Sequence, residues 1–272
     1  MPTTPPDIAL VLGAGGARGY AHLGVINVLR RAGVPINMIA GASVGSVVGA
    51  LYADHGSWQQ AYRSMMAATF WTFADISTVP RLSGMMTGYH LEEFIHNQVQ
   101  AKDFRQLAIP LAITTTDLYH GKAFLIRSGP IAPAVRASSS IPGLVQPSKL
   151  YNRTLVDGGV TDPLPVDVAK LYHPKLIIAV DIDKQFIQET PATNVGILRR
   201  SIVIMARKLA KLSVQGADVI IAPKLGQAST FEVSDAQFLY RQGQIAARKA
   251  LPKILRLMQQ RGIKKQPDSA RR

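Results

Sequence analysis

Short apolar runs alternate with helix-like segments through the first 54 residues, and this alternation constrains the fold more than any other feature. Residues 8–12 form an apolar run between Pro5-Pro6 and a glycine cluster, which is typical of a buried strand. Residues 20–32 carry apolar side chains at helical spacing, and residues 38–40 form a second apolar run before another glycine turn. This strand–helix–strand order predicts two parallel strands joined by a right-handed crossover.

The rest of the chain continues the mixture of strands and helices. Further strands are predicted at residues 111–117, 123–127, 151–156, 176–181 and 218–222. Helices are predicted over most of residues 58–100 and at residues 44–52, 131–140, 196–212 and 234–260. No internal repeat and no long linker divides the chain. We therefore expect a single α/β domain over residues 1–260 with layered helices, followed by a basic, disordered tail over residues 261–272.

Composition narrows the classes of protein that fit. The chain has 272 residues, a net charge of +14 and no cysteine, which excludes disulfides, zinc–thiolate sites and thiol nucleophiles. It shows neither a signal peptide nor an apolar run near the ~18–20 residues of a membrane span, so we expect it in the cytoplasm, or peripheral on a membrane. The basic excess lies late in the chain and lacks a nucleic-acid-binding motif. It indicates an anionic membrane partner or a solvated basic face, and disfavours nucleic acid.

The segment Gly41-Ala-Ser-Val-Gly45 has the glycine–x–serine–x–glycine pattern of a nucleophile turn. Such a turn from strand to helix pushes one side chain into a cleft, and its flanking glycines remove Cβ atoms that would clash. Ser43 would also lie at a helix N-terminus, where unpaired amides stabilise negative charge. The pattern alone is weak, because an ordinary helix N-cap serine satisfies it. Its position between an apolar strand and an apolar helix favours a catalytic nucleophile.

The glycine cluster Gly13-Ala-Gly-Gly-Ala-Arg-Gly19 admits two functional interpretations. A dinucleotide-binding loop needs a glycine at the sixth position, which here is Arg18, and a carboxylate near the end of the second strand, which is missing. The alternative is an oxyanion hole, in which amides near Gly15 and Gly16 donate to a tetrahedral intermediate. Parallel strands bring both loops to one sheet edge, so this cluster is expected beside Ser43. A tight turn without chemistry is the third possibility.

A serine nucleophile needs a group that accepts its proton. Among the six histidines, only His173 follows a plausible acid in the order of an α/β-hydrolase, and a triad through it stays open but poorly supported. Asp157 is the better candidate, because it follows a strand-like segment and precedes Gly158-Gly159 on a compact turn. A carboxylate is a weak base at its ordinary pKa near 3.9, so a direct Ser–Asp dyad requires desolvation to raise that pKa. An ordinary turn aspartate is the alternative.

Taken together, these motifs resemble those of the patatin-like phospholipases, above all the compact bacterial members. The glycines that carry the resemblance are Gly13, Gly19, Gly41, Gly45, Gly158 and Gly159. The segment 137–142 with Pro147 is similar to the family's segment upstream of its catalytic aspartate, and the resemblance covers roughly residues 7–255. It implies a three-layer α/β/α fold with a mainly parallel central sheet.

The resemblance also implies hydrolysis of phospholipids or other acyl-ester lipids through an acyl-enzyme, without a metal or an organic cofactor. Ser43 is then the nucleophile and Asp157 the base of a dyad without histidine. The oxyanion hole consists of Gly15, Gly16, Ala17 and Arg18. Phospholipase A, lysophospholipase and lipid esterase activities all fit, so the reaction is better defined than the substrate. A catalytically quiet membrane-binding or regulatory module of the same fold stays an alternative from a different class.

Three further features bear on the site. Asp162 stands where many members of the resembled family carry asparagine. Its side chain can therefore bring a second carboxylate close to the site. The middle of the chain holds side chains that suit either an acyl channel, a membrane-facing lid or plain core packing: Met65, Met66, Phe70, Trp71, Phe73, Met85 and Met86. The helix predicted at 196–212 fits a lipid surface and a solvated face equally well, since it carries Arg199, Arg200, Arg207, Lys208 and Lys211.

Overall fold

The computed structural model describes residues 4–81, 84–183, 191–226, 228 and 233–267. The strands of these residues are β1 (Ile8–Leu12), β2 (Met38–Ala42), β3 (Ile76–Arg81), β4 (Gly84–Met86), β5 (Leu111–Asp117), β6 (Lys122–Ile126), β7 (Ser148–Leu150), β8 (Arg153–Asp157), β9 (Leu176–Val180) and β10 (Val219–Ile221). Their α-helices are α1 (Tyr20–Arg31), α2 (Val44–Ala53), α3 (Trp58–Ala67), α4 (Phe70–Phe73), α5 (Tyr89–Gln98), α6 (Ile131–Ser138), α7 (Val166–Lys170), α8 (Asn194–Ser213) and α9 (Ala236–Gln260). Each strand and helix predicted outside residues 58–100 is present, with ends within two residues of the prediction.

A mainly parallel sheet forms the middle layer, in the strand order β10-β9-β1-β2-β5-β8-β7. The strands from β10 to β5 in this order are parallel, whereas β8 pairs antiparallel with β5, and β7 with β8. Along β1, Ile8, Leu10 and Leu12 join the larger core with α1, α2 and α9, while Ala9 and Val11 join a smaller core with α7. Helices cover both faces of the sheet, so the predicted three-layer α/β/α fold is confirmed.

The strands β2 and β8 lie along the same edge of β5 and point towards each other. β2 pairs with residues 111–114 of β5, β8 with 115–117, and β6 with 113–117. The β5 residues that pair with β6 include residues that also pair with β2 and with β8. β6 must therefore lie on the other side of β5, and β2 and β8 follow one another along the same side. β2 is parallel to β5 and β8 is antiparallel, so their C-terminal ends meet beside the middle of β5. The residues at these two ends are therefore brought together.

Two long helices of the second half of the chain are packed very differently. A Cβ atom on Gly24 of α1 would lie 2.0 Å from the Tyr240 carbonyl oxygen, and one on Gly243 of α9 would lie 2.0 Å from that of Ala21. α9 therefore packs on α1 with its backbone in direct contact. In α8, by contrast, none of the described side chains is buried. No helix in the described ranges combines the length and the hydropathy of a membrane span.

Residues 58–100 contain a β-hairpin in addition to the helices that were predicted there. After α3 and the short α4, β3 and β4 pair antiparallel before α5 begins. The β3 segment contains Pro80, which destabilises a helix interior, among β-branched residues that favour strands. The Asp75 carboxylate closes the base of the hairpin by accepting the amides of Gly88 and Tyr89 at 2.8 and 2.7 Å.

The chain after α9 stays on the domain as far as it is described. Ile263 is buried, and the Gln266 amide donates to the Gly33 carbonyl oxygen at 2.9 Å. Residues 268–272 of the predicted tail lie outside the described residues.

Candidate active site

Ser43 lies on a strained turn between β2 and α2. Its φ of +53° is in the left-handed region that a non-glycine residue adopts only at a cost of about 1–3 kcal/mol. Two glycines make the turn possible: a Cβ on Gly41 would lie 2.6 Å from the Gly45 carbonyl oxygen, and one on Gly45 would lie 2.0 Å from that of Leu12. The side chain is 5% exposed. The backbone thus holds one hydroxyl at the end of β2.

Asp157 ends β8 and faces Ser43. The Ser43 Oγ donates to Asp157 Oδ2 at 2.7 Å, and the Gly159 amide donates to Oδ1 at 2.7 Å. Burial raises the pKa of Asp157 to about 6, although the hydrogen bonds from Ser43 and Gly159 oppose the rise. The carboxylate is therefore ionised at neutral pH and more basic than an exposed aspartate. A buried, ionised carboxylate in contact with a hydroxyl can accept its proton.

A second serine fixes the backbone of the first. The Ser43 amide donates to Ser138 Oγ at 2.9 Å, and Ser138 Oγ donates to the Thr114 carbonyl oxygen at 2.8 Å. These bonds join the end of β2 to α6 and to the middle of β5. The sequence analysis noted the segment 137–142 but assigned no contact to Ser138, since nothing local signals a partner 95 residues away.

The glycine cluster lies directly beside the Ser43 turn. A Cβ on Gly19 would lie 2.1 Å from Val44 Cγ2, which fixes the distance between the two loops. The Ala14 amide donates to the Pro163 carbonyl oxygen at 2.9 Å. Among the described residues, the amides of Gly15, Gly16 and Ala17 find no acceptor. Gly15 and Gly16 line the cavity that contains Asp157, and Ala17 lines the neighbouring one, so a ligand at the site would lie beside donors that have no partner in the described part of the chain.

Arg18 anchors the glycine cluster through side-chain hydrogen bonds to later parts of the chain. Arg18 is 3% exposed, and its guanidinium donates to Asp183 Oδ1 at 2.7 Å and to the Ala228 carbonyl oxygen at 3.2 Å. Its amide donates to the Gly15 carbonyl oxygen at 3.3 Å, so this predicted oxyanion donor is already engaged. Burial raises the pKa of Asp183 to about 6, and Arg18 opposes that rise. No local pattern in the sequence singled out Asp183, which comes from the loop after β9.

The histidines play no direct part in this arrangement. His22 is fully buried, its Nε2 lies 2.9 Å from the Gly13 carbonyl oxygen, and burial lowers its pKa to about 4. It is therefore neutral and supports the loop. His173 is exposed and precedes β9, whereas Ser43 follows β2. Because β2 and β9 are both parallel to β1, the end of β2 and the start of β9 lie at opposite ends of the parallel strands. This separation argues against the triad through His173.

Two cavities meet at the Ser43 turn, and both are lined by Ser43, Gly16 and Ile141. The first, here called the α8 cavity, is about 210 Å³ and also contacts Asp157 and the inner face of α8. The second, the aromatic cavity, is about 140 Å³ and extends between α2 and α5. Each is roughly an order of magnitude larger than the space one water needs, so each can hold part of an organic substrate.

The predicted acyl-channel residues divide between the second cavity and the surface. The aromatic cavity is lined by Met65, Phe70, Phe73 and Met86. Trp71 and Met85 are 63% and 53% exposed. Met66 packs at the margin of the core. Asp162 lines neither cavity; burial and the charge of Asp167 raise its pKa to about 6.

Comparison with known sequences identifies relatives that share this region. The family model described as patatin-like phospholipase matches residues 10–170, which include Ser43 and Asp157. An uncharacterized NTE family protein of Mycobacterium tuberculosis is 37% identical over 186 residues, 66% of this chain and 50% of that protein. Lysophospholipase NTE1 of Mycosarcoma maydis is 36% identical over 181 residues, 65% of this chain and 10% of that protein. The match thus spans no more than half the length of either relative.

Comparison with solved structures supports the fold. The structure of VipD from Legionella pneumophila aligns with a TM-score of 0.61, covering 92% of this chain and 67% of VipD. Sequence identity in that alignment is 13%, so the similarity is one of architecture. With the family match over more than half of its residues, the chain belongs to the patatin-like phospholipase family.

Proposed function

We propose that this chain is a serine hydrolase of lipid acyl esters, of the phospholipase A or lysophospholipase type. The observation that carries the proposal is the buried hydrogen bond of 2.7 Å from Ser43 Oγ to Asp157 Oδ2. Membership of the patatin-like phospholipase family supports a lipid ester as substrate. The fungal relative is named a lysophospholipase, which supports a single-chain phospholipid as one substrate.

In the proposed acylation step, the Ser43 hydroxyl proton passes to Asp157 Oδ2 while Ser43 Oγ bonds to the ester carbonyl carbon. The carbonyl oxygen becomes an oxyanion. When this tetrahedral intermediate collapses, the bond from the carbonyl carbon to the alkoxy oxygen breaks. Asp157 delivers its proton to that oxygen, the alcohol leaves, and the acyl group stays on Ser43.

Deacylation repeats the same proton transfers with water. A water molecule gives a proton to Asp157 as its oxygen bonds to the acyl carbon. The bond to Ser43 Oγ then breaks, and Oγ takes the proton back from Asp157. The fatty acid is released and the dyad returns to its starting protonation state, so one water is consumed for each ester cleaved.

The oxyanion would bind to the amides of Gly15, Gly16 and Ala17, which have no acceptor among the described residues. Such amides stabilise charge that develops in the transition state, and losing one donor typically costs about 10²–10³-fold in turnover. In this proposal Arg18 does not contact the oxyanion. It holds the loop through Asp183 instead.

A catalytically quiet module of the same fold is the competing proposal. The strained φ of Ser43 and the raised pKa of Asp157 favour an enzyme, because both are unfavourable features that binding alone does not need.

The deciding experiment is stopped-flow hydrolysis of a chromogenic acyl ester. The wild type should release a burst equal to the enzyme concentration and then turn over, whereas Ser43→Ala should show background release. Ser201→Ala, which changes an exposed serine of α8, is the matched control and should resemble the wild type. Equal background release from the wild type and Ser43→Ala over several chain lengths would overturn the proposal.

We also propose that α8 forms the contact with lipid surfaces. Its outward stripe is apolar, and Leu198, Met205 and Leu212 are 54%, 56% and 67% exposed. The helix carries no acidic residue, and its basic residues Arg200 and Lys208 do not line the α8 cavity, which suits anionic head groups. Its opposite face lines the α8 cavity. A lipid surface bound to the stripe would therefore lie next to the site.

Sedimentation with vesicles that contain phosphatidylglycerol tests this contact. Leu198→Asp in α8 should weaken binding about tenfold, because it removes buried apolar area and adds repulsion. Ile245→Asp in α9, at a residue of similar exposure (56%), is the control and should bind like the wild type. Equal binding by both variants, or stripe-dependent self-association without vesicle binding, would contradict the proposal.

A further inference from the structure

We infer that the two cavities divide the substrate at the ester: the aromatic cavity holds the acyl chain, and the α8 cavity holds the alcohol with its phosphate. This inference rests on the proposed function and specifies which side of the nucleophile each half of the substrate occupies. It starts from the observation that Ser43, Gly16 and Ile141 line both cavities, whereas Asp157 lines only the α8 cavity.

The proton transfers of the proposed mechanism determine which half of the substrate occupies which cavity. The alkoxy oxygen of the ester must receive its proton from Asp157, so the alcohol half must lie on the side of Ser43 where Asp157 is exposed to the cavity. Water enters where the alcohol has left and must give its proton to the same carboxylate. Both steps therefore take place in the α8 cavity. An acyl chain in that cavity would keep the attacking water away from Asp157.

The lining of the aromatic cavity fits a hydrocarbon chain. Its wall includes Val47, Met65, Phe73, Leu91 and Leu144. Flexible and aromatic side chains of this kind pack against an extended methylene chain.

One charged residue among those lining the aromatic cavity, Arg136, is already engaged. It donates to Glu92 at 3.1 Å, and its guanidinium lies 4.3 Å from the centre of the Tyr89 ring. A charged head group would find no complementary partner on this wall, which leaves the aromatic cavity to the acyl chain.

The lining of the α8 cavity includes charged residues, and the cationic ones can bind a phosphate. Its charged residues are Asp157, Asp181, Asp183, Arg207 and Lys211. Arg207 and Lys211 come from α8, one helical turn apart, and both line this cavity.

The carboxylate of Asp183 is bound to Arg18 and also attracts Arg207, so Lys211 is the cation on which the proposed phosphate contact rests. Lysine and arginine side chains are the usual protein ligands of phosphate. A glycerophosphate leaving group therefore finds its complement in this cavity.

A matched pair of tryptophan substitutions tests the division. Leu144 and Val203 are both half-buried apolar residues, the first in the aromatic cavity and the second in the α8 cavity. Leu144→Trp should shift the chain-length optimum of 4-nitrophenyl esters, which share one leaving group, towards shorter chains, with about tenfold discrimination against the longest. Val203→Trp should leave that profile unchanged and lower kcat/KM for palmitoyl lysophospholipid relative to monopalmitoylglycerol in the same detergent micelles.

Two gentler substitutions keep the inference testable if either tryptophan variant fails to fold. Phe73→Leu should extend the chain-length optimum, and Lys211→Gln should lower the preference for the phosphate-bearing substrate about tenfold. The inference is overturned if the effects are exchanged between cavities, or if neither selectivity moves in any variant. Either result leaves the Ser43-dependent burst intact, whereas failure of the proposed function removes that burst in the wild type.

Discussion

The floor of the candidate site and the helix α8 that covers it differ in how tightly they pack against the rest of the domain. The floor consists of the turns at residues 13–19, 41–45 and 157–159, where glycines let one backbone touch another. α8 covers the same site without a single buried side chain among those described. We conclude that the sheet fixes the geometry of Ser43 and Asp157. In our proposal, selection of the alcohol half of the substrate falls to α8, a surface helix that can vary with little effect on the fold.

The largest effect should come from removing the base of the floor. Asp157→Asn keeps the side chain's volume and an acceptor for the Gly159 amide, but it cannot take the Ser43 proton. We expect kcat/KM to fall about 10²–10⁴-fold, measured with a short-chain chromogenic ester. Asp162 lines neither cavity, so the control variant Asp162→Asn should retain most of the activity. A near-normal rate in Asp157→Asn would show that another group is the base.

Stability should be most sensitive where the floor has no room for a side chain. Gly45→Ala would bring a Cβ to 2.0 Å from the Leu12 carbonyl oxygen and should lower the free energy of unfolding by about 3 kcal/mol. Gly49→Ala, one turn later in α2, meets only side-chain atoms at 3.1 and 3.2 Å, and the higher helix propensity of alanine offsets part of that crowding. Urea unfolding of both variants measures the difference. Equal stabilities would mean that the turn can relax.

The raised pKa of Asp157 should make the free energy of unfolding depend on pH. A folded-state pKa of about 6, against the ordinary aspartate value of 3.8, means that the wild type loses stability relative to Asp157→Asn as pH rises from about 4 to about 6. Above that range the relative loss levels off at about 3 kcal/mol. Asp162 and Asp183 titrate in both proteins and cancel in the difference. A stability difference that does not change with pH would contradict the raised pKa.

The smallest effect should come from the α8 cover. Met205→Ala removes a side chain that is 56% exposed and should change the free energy of unfolding by less than about 0.5 kcal/mol. Met258→Ala makes the same substitution in α9, where the side chain is 2% exposed, and should cost about 2–5 kcal/mol. Thermal unfolding of the pair compares cover and scaffold directly. A comparable loss in both would show that α8 is also part of the scaffold.

The sequence predicted the floor better than its surroundings. Apolar runs and glycine turns located β1, β2 and β8, and with them Ser43 and Asp157, because these signals are local. The bonds of Ser138 to the Ser43 amide and of Asp183 to Arg18 were missed, since they join segments 95 and 165 residues apart. Periodicity also could not distinguish α8 from α9: both are long, basic and amphipathic, and only tertiary packing determines which one is buried.

Asp157 is proposed to activate Ser43, and labelling with a fluorophosphonate tests this activation most directly. Intact mass spectrometry of the wild type at pH 7 should show one adduct, which peptide mapping assigns to Ser43. The labelling rate should fall about tenfold for each pH unit below about 6, the pKa of Asp157, because only the ionised carboxylate accepts the proton. Ser43→Ala should not label. A folded wild type that forms no adduct, or a labelling rate that Asp157→Asn leaves unchanged, would contradict the claim.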